Sequence, residues 1–327
     1  MFAYSCSVNK SEFSGNEINI YGKIIDPGCL VGKATEIVCI DSLLLYQDRY
    51  DNLTITVFDI KNNLLIGRFL SVGNGPREVL MPLKLSVSPA EGKIYILQIQ
   101  KGFLHECGVE DVANGRIETA MNDKFIFDDR PALLKRTKSN FVGIGYFGDS
   151  RFHLYDQDGK FIDAVGKYPF RGQEMPPIDR FILYQGALCA SPGGNYFAMG
   201  SSYCDNLEFY KIEENSVSLI RKYGKYDVKA NYNQRIMIQD DCVMNYKGAF
   251  GTDKYCYMLY SGKTYAENGK RTYGGQRVIK FDWDGKYIQS YITDKTIISF
   301  CVSEKDDIIY AITEDVDEGF VIMYYQL

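Results

Sequence analysis

Two histidines, His105 and His153, are the only imidazoles in the chain, so sites built on several of them are excluded by counting. Acid–base or ligand chemistry falls to carboxylates, tyrosines, arginines and cysteines. Spacing places no Ser or Cys nucleophile beside either histidine, and both read as structural residues of strands. The nine cysteines (Cys6, Cys29, Cys39, Cys107, Cys189, Cys204, Cys242, Cys256 and Cys301) include no Cys-x-x-Cys pair and no ligand-like spacing, which argues against zinc. Most lie inside apolar runs, such as Cys39 in IVCID and Cys256 in YCYML, where a thiol acts as a small buried hydrophobe rather than as part of a disulfide framework.

The carboxylates offer three arrangements. Glu314, Asp315, Asp317 and Glu318 crowd one loop; solvation is the leading reading there, and a calcium ion the alternative. Asp156-Gln-Asp-Gly-Lys160 and Asp282-Trp-Asp-Gly-Lys286 share the start of a calcium loop but lack its later carboxylates, so they read as hairpin turns. Asp240 and Asp241 are adjacent, and neighbours in an extended chain point to opposite sides, which speaks against a cooperative acid–base pair. Gly73, Gly75 and Pro76 in VGNGPREV have the composition of a backbone anion cradle, but no helix start or Gly-Lys-Ser/Thr follows. The simpler reading is a tight crossover in which Glu78 accepts backbone hydrogen bonds. No cofactor is expected.

The elements that hold these groups are strands. The chain is 46% hydrophobic and 24% charged, enough to bury a full core and unlike a disordered protein. Its 26 Tyr and 19 Phe against one Trp favour a pleated, half-buried surface. With 37 Lys+Arg and 42 Asp+Glu the net charge is -5, which gives no footprint for nucleic acid. No apolar run approaches the roughly 18 residues that span a bilayer.

One pattern recurs along the chain: a turn, an apolar strand, a tight loop and a second strand. Residues 87–106, 190–210 and 302–325 are the clearest copies, and 38–59, 136–156 and 251–282 complete six. The mean period is roughly 53 residues, so six units account for the whole length. Each is followed by a turn and a further strand, as in HLYDQDGKFIDAVG and IKFDWDGKYIQSYIT, where Asp-Gly centres flanked by apolar alternation mark hairpins. Four antiparallel strands per unit make a propeller blade. The sixth unit ends at Leu327 after its third strand, while residues 17–25 (EINIYGKII) are a strand without a unit. The expected fold is therefore all-β: a six-bladed propeller over residues 17–327 as one domain, its last blade closed by the N-terminal strand, with residues 1–16 as a tail.

These units, the closing strand and above all VGNGPREV after the first blade resemble the TolB-like six-bladed propellers abundant in Bacteroidetes. The turn Gly-x-Gly-Pro-x-Glu carries the likeness; Arg77 stands where that family often has Gly, and VGKYPFRG (165–172) is a degraded second copy. The lone Trp283 makes WD40 and kelch repeats poor matches. The resemblance implies exported or lipid-anchored proteins, many without an assigned activity. In keeping with that, Cys6 follows a short apolar start and precedes a polar stretch, the arrangement at the cleavage end of a lipoprotein signal. Periplasmic or outer-membrane lipid anchoring through Cys6 is the expectation, and a cytoplasmic protein the alternative.

In a propeller the second-to-third strand loops and the blade crossovers emerge on one face. That face receives the longest irregular stretches, 166–182, 224–247 and 261–277, and recognition commonly sits on such loops. They and their neighbours carry Arg49, Tyr50, Arg77, Arg151, Arg171, Arg180, Tyr203, Arg235, Tyr265 and Arg271. Arg supplies a planar fork for carboxylate or phosphate and Tyr a broad stacking face. The expected ligand set is Arg49, Arg77, Arg151, Arg171, Tyr203, Arg235 and Arg271, with Arg77, Arg171 and Arg235 converging on an anion. The expected function is non-catalytic binding of a small molecule, glycan or envelope protein by a monomer; the alternative is a lactonase-like hydrolase or lyase using a divalent metal or an acidic pair at the channel mouth.

Overall fold

Apolar residues alternate along the strands, and each blade sends one half of them to each neighbour. In Gly186–Ala190, Leu188 and Ala190 pack to one side while Ala187 and Cys189 pack to the other. The same division runs through Glu36–Ile40, where Val38 and Ile40 face one neighbour and Ile37 and Cys39 the other. This is the period-two pattern of a sheet buried on both faces. In the computed structural model, which describes residues 13, 15–75, 77–169, 175–214, 216–233, 235–269, 271, 273–315 and 319–327, it yields six apolar seams between six blades.

Blade 1 is built from Glu36–Ile40, Leu43–Tyr50, Leu53–Asp59 and Leu64–Ser71, in that order from the axis outward. Blade 2 follows with Leu83–Ser88, Lys93–Gln98, Phe103–Gly108 and Asn122–Ile126, and blade 3 with Leu133–Arg136, Phe141–Ile144, Ser150–Tyr155 and Phe161–Lys167. Blade 4 comprises Gly186–Ala190, Tyr196–Ser201, Leu207–Glu213 and Ser216–Tyr223. Blade 5 has Tyr246–Gly251, Tyr255–Tyr260 and Gly275–Asp282, and takes the first half of the long strand Tyr287–Val302 as its outer edge. The second half of that strand is the inner strand of blade 6, followed by Ile308–Asp315 and Gly319–Gln326.

The N-terminal strand expected at 17–25 is two strands. Lys23–Ile25 pairs antiparallel with Gly319–Gln326 (Lys23 opposite Tyr324, Ile25 opposite Ile322) and supplies the fourth strand of blade 6. Glu17–Ile20 lies parallel to Tyr287–Val302, Glu17 opposite Ser290, as a fifth strand on blade 5. Gly22 stands between them, where a Cβ would sit 2.6 Å from Met323 Cε and 2.7 Å from the Tyr325 ring. Phe13, in the stretch expected to be a tail, is buried in the seam of blades 4 and 5 with edge-on contacts to Tyr223 and Phe281 at 5.0 and 5.1 Å. The folded unit thus includes Phe13. Cys6 lies outside the described residues.

Helix appears where no helical period was expected. Pro177–Tyr184 forms two turns in the crossover from blade 3 to blade 4, begun by Pro176-Pro177, which suits a first helical position, and anchored by buried Phe181, Leu183 and Tyr184. Two turns are too short for a period to register. The stretch 224–247 holds a hairpin, Ala230–Asn233 with Arg235–Ile238.

Deleting residues 1–25 removes the outer strand of one blade and the added strand of another, and exposes two edges. The melting temperature should fall sharply, and a shift of only a degree or two would show that this segment is not part of the closure. Phe13→Ala alone should destabilise by about 3 kcal/mol in denaturant titrations.

Candidate functional site

At the axis the inner strands leave little space. A cavity of about 30 Å³, lined by Val38, Ser86, Lys135, Cys189, Phe250 and others, has room for roughly one water. Lys135 donates to the Leu85 carbonyl at 3.3 Å, and Glu36 accepts from the Leu85 N–H at 3.1 Å with Lys84 Nζ 3.9 Å away. Burial holds the Lys135 pKa below the usual lysine range. A second cavity, of about 130 Å³, lies against the same Phe250 and Gly251 and is lined also by Cys39, Val87, Pro192 and Val302, so the axis takes a few waters while the larger spaces lie at the faces.

On the loop-rich face the structure forms a cleft of about 470 Å³ in the seam of blades 4 and 5, lined by Phe13, Tyr203, Cys204, Asp205, Lys225, Asp227, Lys229, Cys242, Val243, Asn245, Tyr246, Tyr260 and Ile279. Its floor is the seam itself. Its rim is the crossover after blade 4, where Lys225, Asp227 and Lys229 are exposed at every second residue, a spacing that puts them on one side of an extended chain. Asp205 fixes the start of that crossover by accepting the Lys225 N–H at 2.7 Å, and Lys229 pairs with Asp241 at 2.7 Å. Asn245 is buried at the wall, its Nδ2 donating to the Val243 carbonyl at 3.0 Å.

Behind the wall lies Lys247, its ammonium 5.1 Å from the centre of the Tyr203 ring and 3.4 Å from the Ser202 carbonyl. No carboxylate is paired with it among the described residues. Burial, against a small opposing effect of Cys242, lowers its pKa to about 7.

Of the expected ligand residues, Tyr203 lines this cleft, although it is largely buried. Arg151 is corrected: it is buried in the seam of blades 3 and 4, paired with Glu208 and Tyr226 and packed 5.0 Å from the Phe152 and Tyr226 rings. Burial raises the Glu208 pKa less than Arg151 and two tyrosine hydroxyls lower it, so the carboxylate stays below its usual range. This is structural, not a ligand fork. Arg271 pairs with Glu314 at 2.9 Å and Lys295 with Asp315 at 2.9 Å, which engages two of the four proposed calcium ligands. Asp317, Glu318 and Arg171 lie outside the described residues. Among those described, no group of three or more His, Cys, Asp or Glu is placed to hold a metal ion.

Arg49, Arg77 and Arg235 are exposed. Arg77 sits at the crossover of blades 1 and 2 and Arg235 at that of blades 4 and 5, on opposite sides of a six-membered ring. The expected convergence on an anion is not formed by these two. Arg77 has φ +67, the left-handed conformation that glycine adopts freely, which accounts for a Gly preference at that place. In the same turn Gly75 N–H donates to Glu78 Oε2 at 2.7 Å, and a Cβ on Gly73 would lie 2.0 Å from that oxygen. Glu78 itself fills the anion cradle. Asp156 and Asp282 likewise accept backbone N–H groups of their own hairpins, from Lys160 at 2.9 Å and from Lys286 at 2.7 Å.

The model of TolB-like 6-blade propeller-like proteins matches residues 30–305. The chain belongs to this family. Among solved structures, a Bacteroides fragilis protein described as exported aligns at TM-score 0.58 and 12% identity over 94% of this chain and 98% of its own. A DUF4221 member from Bacteroides vulgatus aligns at 0.57 and 12% over 95% and 97%. Regucalcin from Agrobacterium tumefaciens, described as calcium-binding, aligns at 0.52 and 9% over 94% and 95%. At these identities the likeness is one of fold. Among curated proteins the chain has no match. No helix among the described residues is long and apolar enough to cross a membrane.

Lys247 gives this propeller a pH signature. Its folded pKa of about 7 lies below the value of 10.5 in an unfolded chain, so between these the unfolded state binds more protons and stability rises with pH. Lys247→Met should remove that rise and stabilise the protein below pH 7 by on the order of 1 kcal/mol; an unchanged pH profile of unfolding would show that the ammonium is well solvated.

Proposed function

We propose that the protein is a binding module of the bacterial envelope that takes a small, hydroxyl-rich ligand, a short glycan, in the cleft of blades 4 and 5. The observation that carries this reading is the balance of the lining: Lys225 and Lys229 share the cleft with Asp205 and Asp227, beside tyrosine rings and an amide. A strongly charged ligand would meet one repelling group for each attracting one. Hydroxyls both donate to carboxylates and accept from ammonium groups, and the tyrosine rings cover the apolar side of a sugar. The volume is in the range of small-ligand sites. A metal-dependent hydrolase is the alternative reading, and regucalcin's fold is its support; two carboxylates it would use, Glu314 and Asp315, already have cationic partners.

Envelope location rests on the exported Bacteroides protein of like fold and on the lipoprotein-like setting of Cys6. In its own host the full protein should partition with membranes and carry a lipid on Cys6, and Cys6→Ser should release it. Unlipidated, soluble wild-type protein would defeat the anchor.

The ligand is tested by thermal shift with a panel of mono- and disaccharides, with phosphate and citrate as charged controls. A saccharide should stabilise the wild type, and the rim variant Lys225→Met with Asp227→Asn should lose about 1.5 to 3 kcal/mol of binding for each hydrogen bond to a charged group. Equal shifts in both proteins, or stabilisation by the anions alone, would overturn the assignment.

A further inference from the structure

The histidine that sequence spacing left without a nucleophile has one in the fold. Ser150 Oγ lies 3.0 Å from His153 Nε2, and the other ring nitrogen, Nδ1, meets Asp129 Oδ2. Ser150 and His153 share the third strand of blade 3, and Asp129 comes from the crossover out of blade 2. Three residues apart in a strand, a serine and a histidine point to opposite faces. They meet here because Ser150 opens the strand on a turn, where its N–H donates to the Phe147 carbonyl at 3.3 Å; its one hydroxyl proton has two acceptors in reach, that carbonyl at 3.1 Å and His153 Nε2, and rotation of the hydroxyl to the imidazole sets up proton transfer.

The imidazole is held on all sides. The Phe147 ring stacks on it at 3.8 Å and 11°, the Phe161 ring meets it edge-on at 5.0 Å, and Tyr155 Oη donates to the same Asp129 oxygen at 2.6 Å. Gly145 makes this possible, since a Cβ there would lie 2.7 Å from the Phe147 ring. Burial would raise the Asp129 pKa, but the bonds from His153 and Tyr155 outweigh it and keep the carboxylate charged. A charged Asp129 at Nδ1 orients the ring with Nε2 toward the serine.

Three further features suit acyl transfer. Ser150 is partly exposed on the loop-rich face. The N–H groups of Gly148 and Asp149, which precede it, donate to no acceptor among the described residues, and backbone donors stabilise an oxyanion where they converge on it. Phe161, whose ring meets the imidazole, is a large apolar side chain half exposed to solvent.

We propose that Ser150, His153 and Asp129 form a second, hydrolytic site that cleaves small apolar acyl or aryl esters, separate from the cleft of blades 4 and 5. Ser150 Oγ attacks the ester carbonyl carbon while its proton passes to His153 Nε2. The carbonyl–alkoxy bond then breaks, and His153 returns the proton to the departing alcohol. Water, deprotonated by the same nitrogen, releases the carboxylic acid from Ser150 and restores the serine.

The same bonds would also tie the crossover to blade 3 if the cluster were only structural, so the test reads chemistry. The full-length protein is treated with diisopropyl fluorophosphate and mapped by peptide mass spectrometry, and p-nitrophenyl acetate and butyrate hydrolysis is followed for wild type, Ser150→Ala and Asp129→Asn. Stoichiometric labelling of Ser150 is expected, with hydrolysis falling to background in Ser150→Ala and at least tenfold in Asp129→Asn. Absence of label on folded wild-type protein overturns the proposal whether or not the variants fold. Hydrolysis that persists in a folded Ser150→Ala overturns it too.

Discussion

A sheet blade has two faces to bury, and in this chain a ring does it for all six at once. Each blade buries both faces against neighbours, so no blade is complete until the ring closes, and the chain closes it by bringing Lys23–Ile25 against Gly319–Gln326. That one pairing joins segments almost three hundred residues apart in sequence. It sets the last blade's register, brings the inner strands of blades 6 and 1 together around Cys39 and Cys301, and leaves Glu17–Ile20 to lie on blade 5. Phe13 then reaches the seam that floors the cleft.

Closure also determines where chemistry can sit. With the axis reduced to cavities of about 30 and 130 Å³, the larger spaces are left to the faces, and strand direction collects the blade crossovers on one of them. Polar groups inside the seams are matched rather than available. Arg151, Glu208, Tyr210 and Tyr226 form one network in the seam of blades 3 and 4, with Tyr210 Oη donating to Glu208 at 3.0 Å. Truncating one member of such a buried pair strands the other's charge, which is far costlier than losing an exposed ion pair such as Lys229 with Asp241.

The architecture was legible because it is periodic. Six hairpin units, Asp-Gly turns and a spare N-terminal strand point to one fold, and the hairpin readings at Asp156 and Asp282 hold because each carboxylate binds the N–H groups two to four residues on. The site was less legible because a residue's place in the chain does not say which way its side chain leaves a turn. Arg151 was expected at a surface that its strand turns away from, and Ser150 and His153 were kept apart by a strand period that the turn at Phe147 breaks. Lys225, Asp227 and Lys229 did carry a signal, their spacing of two, inside a stretch read only as a long loop. Lys247, one charge in the apolar inner strand Tyr246–Gly251, was another.

Native-state hydrogen exchange at the closing pair tests this account most directly. If Lys23–Ile25 and Ile322–Tyr324 complete the ring on which every seam depends, their ladder amides should exchange only through global unfolding, with the same free energy and denaturant dependence as amides of the inner strand Leu83–Ser88. Exchange of those amides at a much lower free energy, while Leu83–Ser88 stays protected, would mean that the blades hold together without the N-terminal strand and would contradict it.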